Sequence, residues 1–400
     1  MLSQLTPQKA RLWLSQGGAI ALLLLTAACG SNSSTPGESP AASSAPAASP
    51  AASGVEGALK IGTLLPITGD LAQYGTTMQD SAALLIETVN ACQGVLGKPV
   101  QLISEDDQTD PSAGAAGMTK LTEVDKVAGV VGAAGSAVSM AAVDIAVRNQ
   151  VVEISPSSTS PDFTTRADKG DFKGFWFRTA PPDTFQGDAL AQLAQQQGAK
   201  KVAILAINND YGNGLIQSFI PAFKKLGGTV TNESSPTKYA PDASTFDSEL
   251  RAAFSGQPDA VLLVAYPETG SLVLKAAFEQ GLLNGKTKIL LSDGMKTDKL
   301  AELAGKADGK FIAAGVVGTA PSAGGPAIAQ FTQVYKTKFN RAPNVYDPNT
   351  YDAAAVLVLA AEAAKSTSGA AVKDKISEVA NAPGEQVSDV CKALQLVRQG

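Results

Sequence analysis

The sequence predicts an α/β protein of two doubly wound, parallel-sheet lobes with a ligand cleft between them. Three observations carry that prediction. From Leu59 to Ile154, short apolar runs alternate with amphipathic helical segments. The period is lost over Ser160–Lys173, and a second alternation begins at Thr184. Beyond Thr319 the strand pattern stops and helical segments follow. Strands that alternate with helices build parallel sheets covered on both faces.

In the first alternation, Leu59–Leu65, Pro99–Ser104, Ala128–Val131 and Val151–Ile154 are expected strands. Gly69 to Gly75 is read as a loop, and Thr77–Ala91 as a helix with Met78, Ala82, Leu85, Ile86 and Val89 at helical spacing. Asp110-Pro111-Ser112 is a helix-start signal for Ser112–Val124. A further helix is expected over Ser139–Arg148. Phe175–Arg178 reads as a strand leading into a crossing at Thr179–Asp183. The second alternation places strands at Lys201–Ile207, Gly228–Ser235, Ala260–Tyr266, Lys288–Ser292 and Phe311–Thr319. Helices lie between them at Thr184–Gln197, Gly214–Leu226, Phe246–Phe254 and Gly270–Gln280. Ala320–Gly325 reads as a return crossing, followed by helices at Ile328–Phe339, Tyr351–Lys365 and about Val387–Val397. The expected division is a first lobe over 58–179, a second over 180–319 and a return to the first over 320–400. Two lobes joined by crossings leave a cleft suited to a small ligand and to hinge closure.

Composition limits the chemistry. The 400 residues are 44% hydrophobic and 17% charged, with net charge −5. That mild acidity argues against nucleic acid as a partner. The sequence has no histidine, which removes the commonest general base and metal ligand. No cofactor is expected. An exported enzyme would need a Ser-Lys or carboxylate mechanism. No G-x-S-x-G elbow occurs, and Gly285-Lys286-Thr287 has Gln280 where a phosphate loop needs its first glycine.

Residues 1–28 read as a targeting segment. Lys9 and Arg11 precede the apolar run Ala19–Leu25, and Thr26-Ala27-Ala28-Cys29 follows. Cys29 after two alanines resembles a bacterial lipobox, with Thr26 where an aliphatic residue is usual; the alternative is a plain secretory signal. A lipidated Cys29 would anchor the chain to a membrane. Residues 29–57 are nearly all Ser, Ala, Pro, Gly and Asn, the composition of a disordered leash. The remaining cysteines, Cys92 and Cys391, form either one bridge, which an exported compartment permits, or two separate thiols.

Two turns stand out. Gly135-Ser136-Ala137 follows one strand and opens a helix, and Ser155–Thr159 follows the next. Small polar turns at adjacent strand ends form a crevice at the carboxyl edge of a sheet, where open α/β folds bind ligands. A helix start there suits a carboxylate or phosphate. The same residue types also serve as ordinary loop residues.

The segments I-G-T-L-L-P-I-T-G-D-L-A-Q-Y-G at 61–75, D-D-Q-T-D-P at 106–111, G-A-A-G-S-A-V-S at 132–139 and I-S-P-S-S-T-S-P at 154–161 occur in a familiar order. N-N-D-Y-G-N-G at 208–214 and A-Y-P-E-T-G at 265–270 extend it into the second lobe. From Lys60 to about Gln399 the chain resembles the substrate-binding lipoproteins of branched-chain or neutral amino-acid ABC transporters. These form the leucine/isoleucine/valine-binding family of type I periplasmic binding proteins. The resemblance implies two lobes joined by a multi-strand hinge. It implies that an amino acid is captured between them and delivered to permease subunits outside the cytoplasm, without catalysis.

By that resemblance Ser136 takes the ligand carboxylate, and Ser157 and Thr159 form the second binding turn. Asp293 faces the ammonium. Tyr211 and Tyr266 close over the ligand from the second lobe and Tyr74 from the first, and Tyr346 lines the side-chain pocket. Asp183 is an extra contact at the crossing. Ala133, Ala134 and Gly135 leave room for a side chain or pack the sheet. Cys92 and Cys391 both fall in the first lobe, compatible with a bridge. The family's final hairpin and third hinge strand have no counterpart before Gly400: either the sequence is truncated there or the protein lacks these elements, with an exposed sheet edge and a looser hinge expected. The alternatives are the same fold binding urea or short amides, or serving as an amino-acid sensor.

Overall fold

A computed structural model describes residues 57–400. The expected targeting segment, Cys29 and the expected linker up to residue 56 lie outside the described residues. The first sheet holds β1 (Lys60–Leu65), β2 (Gln101–Asp106), β3 (Gly129–Gly132), β4 (Val152–Ser155) and β5 (Trp176–Arg178). All are parallel, in the order β2-β1-β3-β4-β5. Helices α1 (Ala72–Ala91), α2 (Pro111–Thr119), α3 (Ser136–Arg148) and α4 (Asp162–Asp168) connect them. β3 and β4 are buried along their whole length, while the edge strand β2 carries Gln101, Ser104 and Glu105 and is half exposed. Central parallel strands are covered on both faces, and polar residues on an edge discourage further pairing.

The second lobe follows with α5 (Asp183–Gln196), β6 (Lys201–Ile207), α6 (Asp210–Lys225), β7 (Thr229–Val230), β8 (Thr237–Tyr239), α7 (Asp247–Phe254) and β9 (Ala260–Val264). It continues with α8 (Pro267–Glu279), β10 (Lys288–Leu291), α9 (Leu300–Ala304), a small hairpin of β11 (Lys306–Ala307) and β12 (Lys310–Phe311), and β13 (Val317–Gly318). Its sheet runs β13-β10-β9-β6-β7, with β8 also paired to β6. The chain then adds α10 (Ala327–Phe339), α11 (Asp347–Ala364), α12 (Gly369–Lys373), α13 (Ile376–Ala380) and α14 (Val390–Gln399). Leu357 and Val358 of α11 share a buried cluster with Ile61, Val131 and Val152, so this last segment is built into the first lobe.

Both sheets reverse strand order once, β1 against β3 in the first and β6 against β9 in the second. Loops leaving a switch point diverge and open a crevice beyond the strand ends. The loops after β1 and β3 carry residues 66–71 and 133–135, and those after β6 and β9 carry 208–209 and 265–266. These four loops, with the turns after β4 and β10, supply the site described below.

The structure departs from the sequence expectation at several elements. α1 starts at Ala72, so Tyr74 and Gly75 are helical. A Cβ at position 75 would strike the Pro66 carbonyl, so glycine permits the turn. α3 starts at Ser136, not Ser139. The expected strand at Gly228–Ser235 is split into β7 and β8. In the gap, the Asn232 side chain accepts the Ile204 N–H (3.0 Å) and donates to the Ile204 carbonyl (2.8 Å), replacing a strand partner for β6. The expected strand at Phe311–Thr319 shrinks to β13, because the chain turns at Ala313–Gly315, with Gly315 at φ +85°. The segment without a clear period at Ser160–Lys173 contains α4, whose Phe163 stacks on Trp176 at 4.0 Å between ring centroids.

Cys92, at the end of α1, is bonded to Cys391 of α14 across a sequence separation of 299. Arg398 reinforces the same junction, pairing with Glu362 (3.1 Å) and donating to the Gly94 carbonyl (2.7 Å). A cross-link over so long a loop strongly restricts the unfolded chain. Changing both cysteines to serine is expected to lower unfolding free energy by about 2–4 kcal/mol. Denaturant titration of the variant and of the reduced wild type tests this, and unchanged midpoints would contradict it.

Glu153 lies in β4 with no exposed surface. One carboxyl oxygen accepts the Ala133 N–H (3.2 Å), and the other has no partner. Burial pushes its pKa up from 4.5 to about 8. The folded chain therefore holds this proton where the unfolded chain has released it. The stability contributed is full below the ordinary carboxyl range and is lost as pH rises through about 8. Glu153→Gln should remove that loss, so that its thermal midpoint changes less than the wild-type midpoint between about pH 5 and pH 8.5. Parallel pH profiles for the two proteins would contradict this account.

Candidate functional site

The first-lobe wall is a loop held by hydroxyls. After β3, Gly132 to Gly135 lead into α3, and Gly135 provides no side-chain cap for the helix. The Ala133 carbonyl accepts hydrogen bonds from Ser155 (2.6 Å), Ser139 (3.2 Å) and Ser158 (3.3 Å). The Ala134 carbonyl accepts one from Ser157 (2.9 Å). These hydroxyls hold the loop's carbonyls, and the first turn of α3, which has no side-chain cap, begins at the cleft. Ser136 is buried, and its hydroxyl accepts the Ser160 N–H (3.3 Å).

The second-lobe wall is aromatic and acidic. Asn209 caps α6 by accepting the Gly212 N–H (3.0 Å), which fixes Tyr211 in the first turn. Tyr266, at the start of α8, stacks on Tyr211 with ring centroids 5.4 Å apart and planes at 12°. Asp293 follows β10. One of its oxygens accepts the Tyr211 hydroxyl (2.5 Å) and the other accepts the Tyr346 hydroxyl. The Tyr211 oxygen also accepts the Gly294 N–H (3.2 Å) and pairs with Ser292 Oγ (2.8 Å). Tyr346, at the start of α11, stands edge-on to Tyr74 at 6.0 Å. The Tyr74 hydroxyl donates to the Lys296 carbonyl (2.8 Å). Tyr74 and Tyr346 belong to the first lobe, so both bonds span the cleft.

The result is a narrow pocket between the lobes. Of the residues predicted from sequence, Tyr74, Ser136, Ser157, Tyr211, Tyr266, Asp293 and Tyr346 line it. Thr159, expected beside Ser157, is not in the wall. Its hydroxyl donates to Asp183 (3.0 Å), and its carbonyl accepts the Asp183 N–H (2.8 Å). Thr159 thus tethers Asp183, which also lies behind the wall. Leu71, Ala134, Gly135 and Gly294 complete the lining. The small residues Ala134 and Gly135 could be picked out in the sequence, whereas Leu71 carries no chemical signal there. Ala133 faces the sheet hydroxyls and not the cavity.

The electrostatics are lopsided. Burial raises the pKa of Asp293, opposed by the hydroxyls of Tyr211 and Tyr346. Burial raises Asp183 well above the usual carboxylate range, and the nearby Asp293 adds to the effect. Arg178 opposes it, but its guanidinium donates to the Ser160 carbonyl (3.0 Å) and Thr164 (2.6 Å). One Asp183 oxygen has no hydrogen-bond partner. Among the described residues no cationic side chain hydrogen-bonds to either carboxylate, so the cavity favours a positive group at its acidic end. Among the described residues there is also no cluster of His, Cys, Asp and Glu able to hold a metal ion. No helix among them is long and apolar enough to cross a membrane.

Comparison with known proteins agrees with this architecture. Residues 58–388 match the family model described as "Periplasmic binding protein". A Leu/Ile/Val-binding protein homolog 1 of Brucella abortus is 29% identical over 315 residues, covering 76% of this chain and 78% of that protein. The crystal structure of a leucine binding protein, LivK, of Thermotoga maritima is similar with a TM-score of 0.70 and 28% identity, over 80% of this chain and 87% of that one. LivJ of Streptococcus pneumoniae, a branched-chain amino acid transporter substrate binding protein solved in complex with isoleucine, has a TM-score of 0.67 and 26% identity, over 81% and 88%. Two parallel-sheet lobes, a closed cleft between their switch points and a match over residues 58–388 together place the chain in the Leu/Ile/Val-binding family of type I periplasmic binding proteins, a family of extracytoplasmic, substrate-binding and non-enzymatic proteins.

Proposed function

We propose that this protein captures a neutral amino acid, of the branched-chain class, and delivers it to the permease subunits of an ABC transporter. The observation that carries the reading is Asp293, a buried carboxylate without a cation, in one pocket with the uncapped start of α3. A zwitterion fits that arrangement at both ends. Its ammonium pairs with Asp293, with Asp183 behind adding negative potential. Its carboxylate meets the N–H groups and hydroxyl at Ser136, at a helix start whose dipole favours an anion. Charge-assisted hydrogen bonds at both ends offset the cost of removing the ligand's charges from water. The side chain lies among Tyr74, Tyr211, Tyr266, Tyr346 and Leu71, where aromatic area excludes water. We further propose that Ser157 shapes this pocket by holding the Ala134 carbonyl, and that Thr159 acts only through Asp183. A lipid on Cys29 and the Ser/Ala/Pro-rich leash would keep the closed, loaded form beside the membrane.

The expected cycle is binding, lobe closure and docking, with no bond made or broken. Ligand binding to the folded state raises the melting temperature by mass action. A thermal-shift titration against neutral amino acids, urea and short amides should give shifts with leucine, isoleucine or valine. Shifts with urea or amides alone would overturn the zwitterion assignment while leaving a binding role. No shift with any of them would contradict the reading.

Asp293→Asn should weaken amino-acid binding by about 2–4 kcal/mol, because it leaves the ammonium buried without a counter-charge. The wild-type affinity should rise with pH through the raised titration range of Asp293. The protonated carboxyl must lose its proton to pair with an ammonium, and Asp183 and the two tyrosine hydroxyls on the carboxylate carry no compensating positive charge. Calorimetric titration at several pH values checks both statements. Equal affinities for wild type and variant, or a flat pH profile, would contradict them.

A further inference from the structure

Asp70 sits in the loop after β1, in the first lobe, one residue before the cavity-lining Leu71. Its carboxylate reaches across the cleft to α8 of the second lobe. One oxygen accepts the Thr269 backbone N–H (2.7 Å), and the other accepts the Thr269 hydroxyl. Beside it, Gln73 donates to Glu268 (3.2 Å).

The first turn of α8 leaves backbone N–H groups in need of partners. The residue at its N-cap is Tyr266, and the helix has no side-chain cap of its own. A tyrosine cannot fold back onto its own helix start as Ser, Thr, Asp or Asn does. Its ring is instead committed to the cavity, stacked on Tyr211. The side-chain cap that the Thr269 N–H finds comes from the other lobe.

We propose that Asp70 is a closure latch, which holds the two lobes together over the ligand by capping α8 in trans. This deepens the functional reading above and rests on it for the ligand used below. The latch differs from the cross-cleft bonds made by the cavity wall. Tyr74 to Lys296 and Tyr346 to Asp293 involve residues of the cavity wall, so removing them alters ligand contacts as well. Asp70 and Thr269 do not line the cavity. They act at its rim, and the segments they join each carry wall residues, Leu71 and Tyr74 on one side and Tyr266 on the other. Opening the lobes exposes the Asp70 carboxylate and the helix start to water, so the latch contributes only in the closed form. It should therefore govern ligand escape and leave capture by the open form unaffected.

The test is stopped-flow fluorescence with L-leucine on the purified protein and its Asp70→Ala, Asp70→Asn, Thr269→Val and Asp70→Ala/Thr269→Val variants. Loss of a charge-assisted pair of hydrogen bonds should raise the dissociation rate by about tenfold to a hundredfold in Asp70→Ala. The association rate should stay within about twofold. Asp70→Asn, which can still accept the Thr269 N–H, should fall between Asp70→Ala and wild type. The double variant should dissociate no faster than Asp70→Ala, since the two residues act as one unit. The melting temperature without ligand should match wild type, because a purely structural helix cap would lower it. An unchanged dissociation rate, an equal effect on association, additive effects in the double variant or a lowered ligand-free melting temperature would each overturn the latch. If wild type binds no amino acid, the functional reading fails, and the latch is judged by the same dissociation-rate comparison with the urea or amide that the thermal-shift panel identifies; an unchanged rate there overturns it.

Discussion

Asp293 is the constraint on which the rest of the site depends. A carboxylate this deeply buried is costly unless it is hydrogen-bonded or paired with a cation. Here two tyrosine hydroxyls hold it, one from the start of α6 and one from the start of α11. Three distant segments therefore converge on one side chain. Tyr211 and Asp293 belong to the second lobe and Tyr346 to the first, so the arrangement exists only when the lobes are together. The hydrogen bonds place the carboxylate but do not neutralise it. That leaves a pocket with an unfilled demand for positive charge at one end.

The surrounding structure serves that chamber in two ways. Both sheets reverse strand order at the strands whose following loops face the cleft, so the backbone itself provides the opening. Hydroxyl groups then fix the loop after β3. Ser139, Ser155 and Ser158 converge on the Ala133 carbonyl, and Ser157 takes the next one. Together these bonds fix the loop that leads into α3. The neighbouring Glu153 holds the Ala133 N–H from within the sheet, and burial keeps it protonated. A negative charge below the expected carboxylate position is thereby avoided at neutral pH.

Much of this was legible in the sequence, for identifiable reasons. Parallel strands buried on both faces leave continuous apolar runs such as Val202–Ile207, and those runs located the sheets. The turns after β3 and β4 stood out because small and hydroxyl residues cluster there. What escaped was decided by tertiary partners. Asn232 replaces a strand in the middle of an expected one. Thr159 is drawn away from the cavity by Asp183. Leu71 enters the wall only because its loop is bent at a switch point. Asp70 and Thr269 lie 199 residues apart in the chain, and nothing local to either predicts their meeting. The roles of Asp293 and the four tyrosines came from the likeness to a known family, since an acidic turn residue and scattered aromatics carry no such meaning alone.

The orientation of the ligand is the central claim, and a crystal structure grown with L-leucine addresses it most directly. The account predicts one leucine in the cavity, with its ammonium about 3 Å from Asp293 and its carboxylate at the start of α3 beside Ser136. A leucine bound in the reverse sense, or bound away from Asp293, would contradict it.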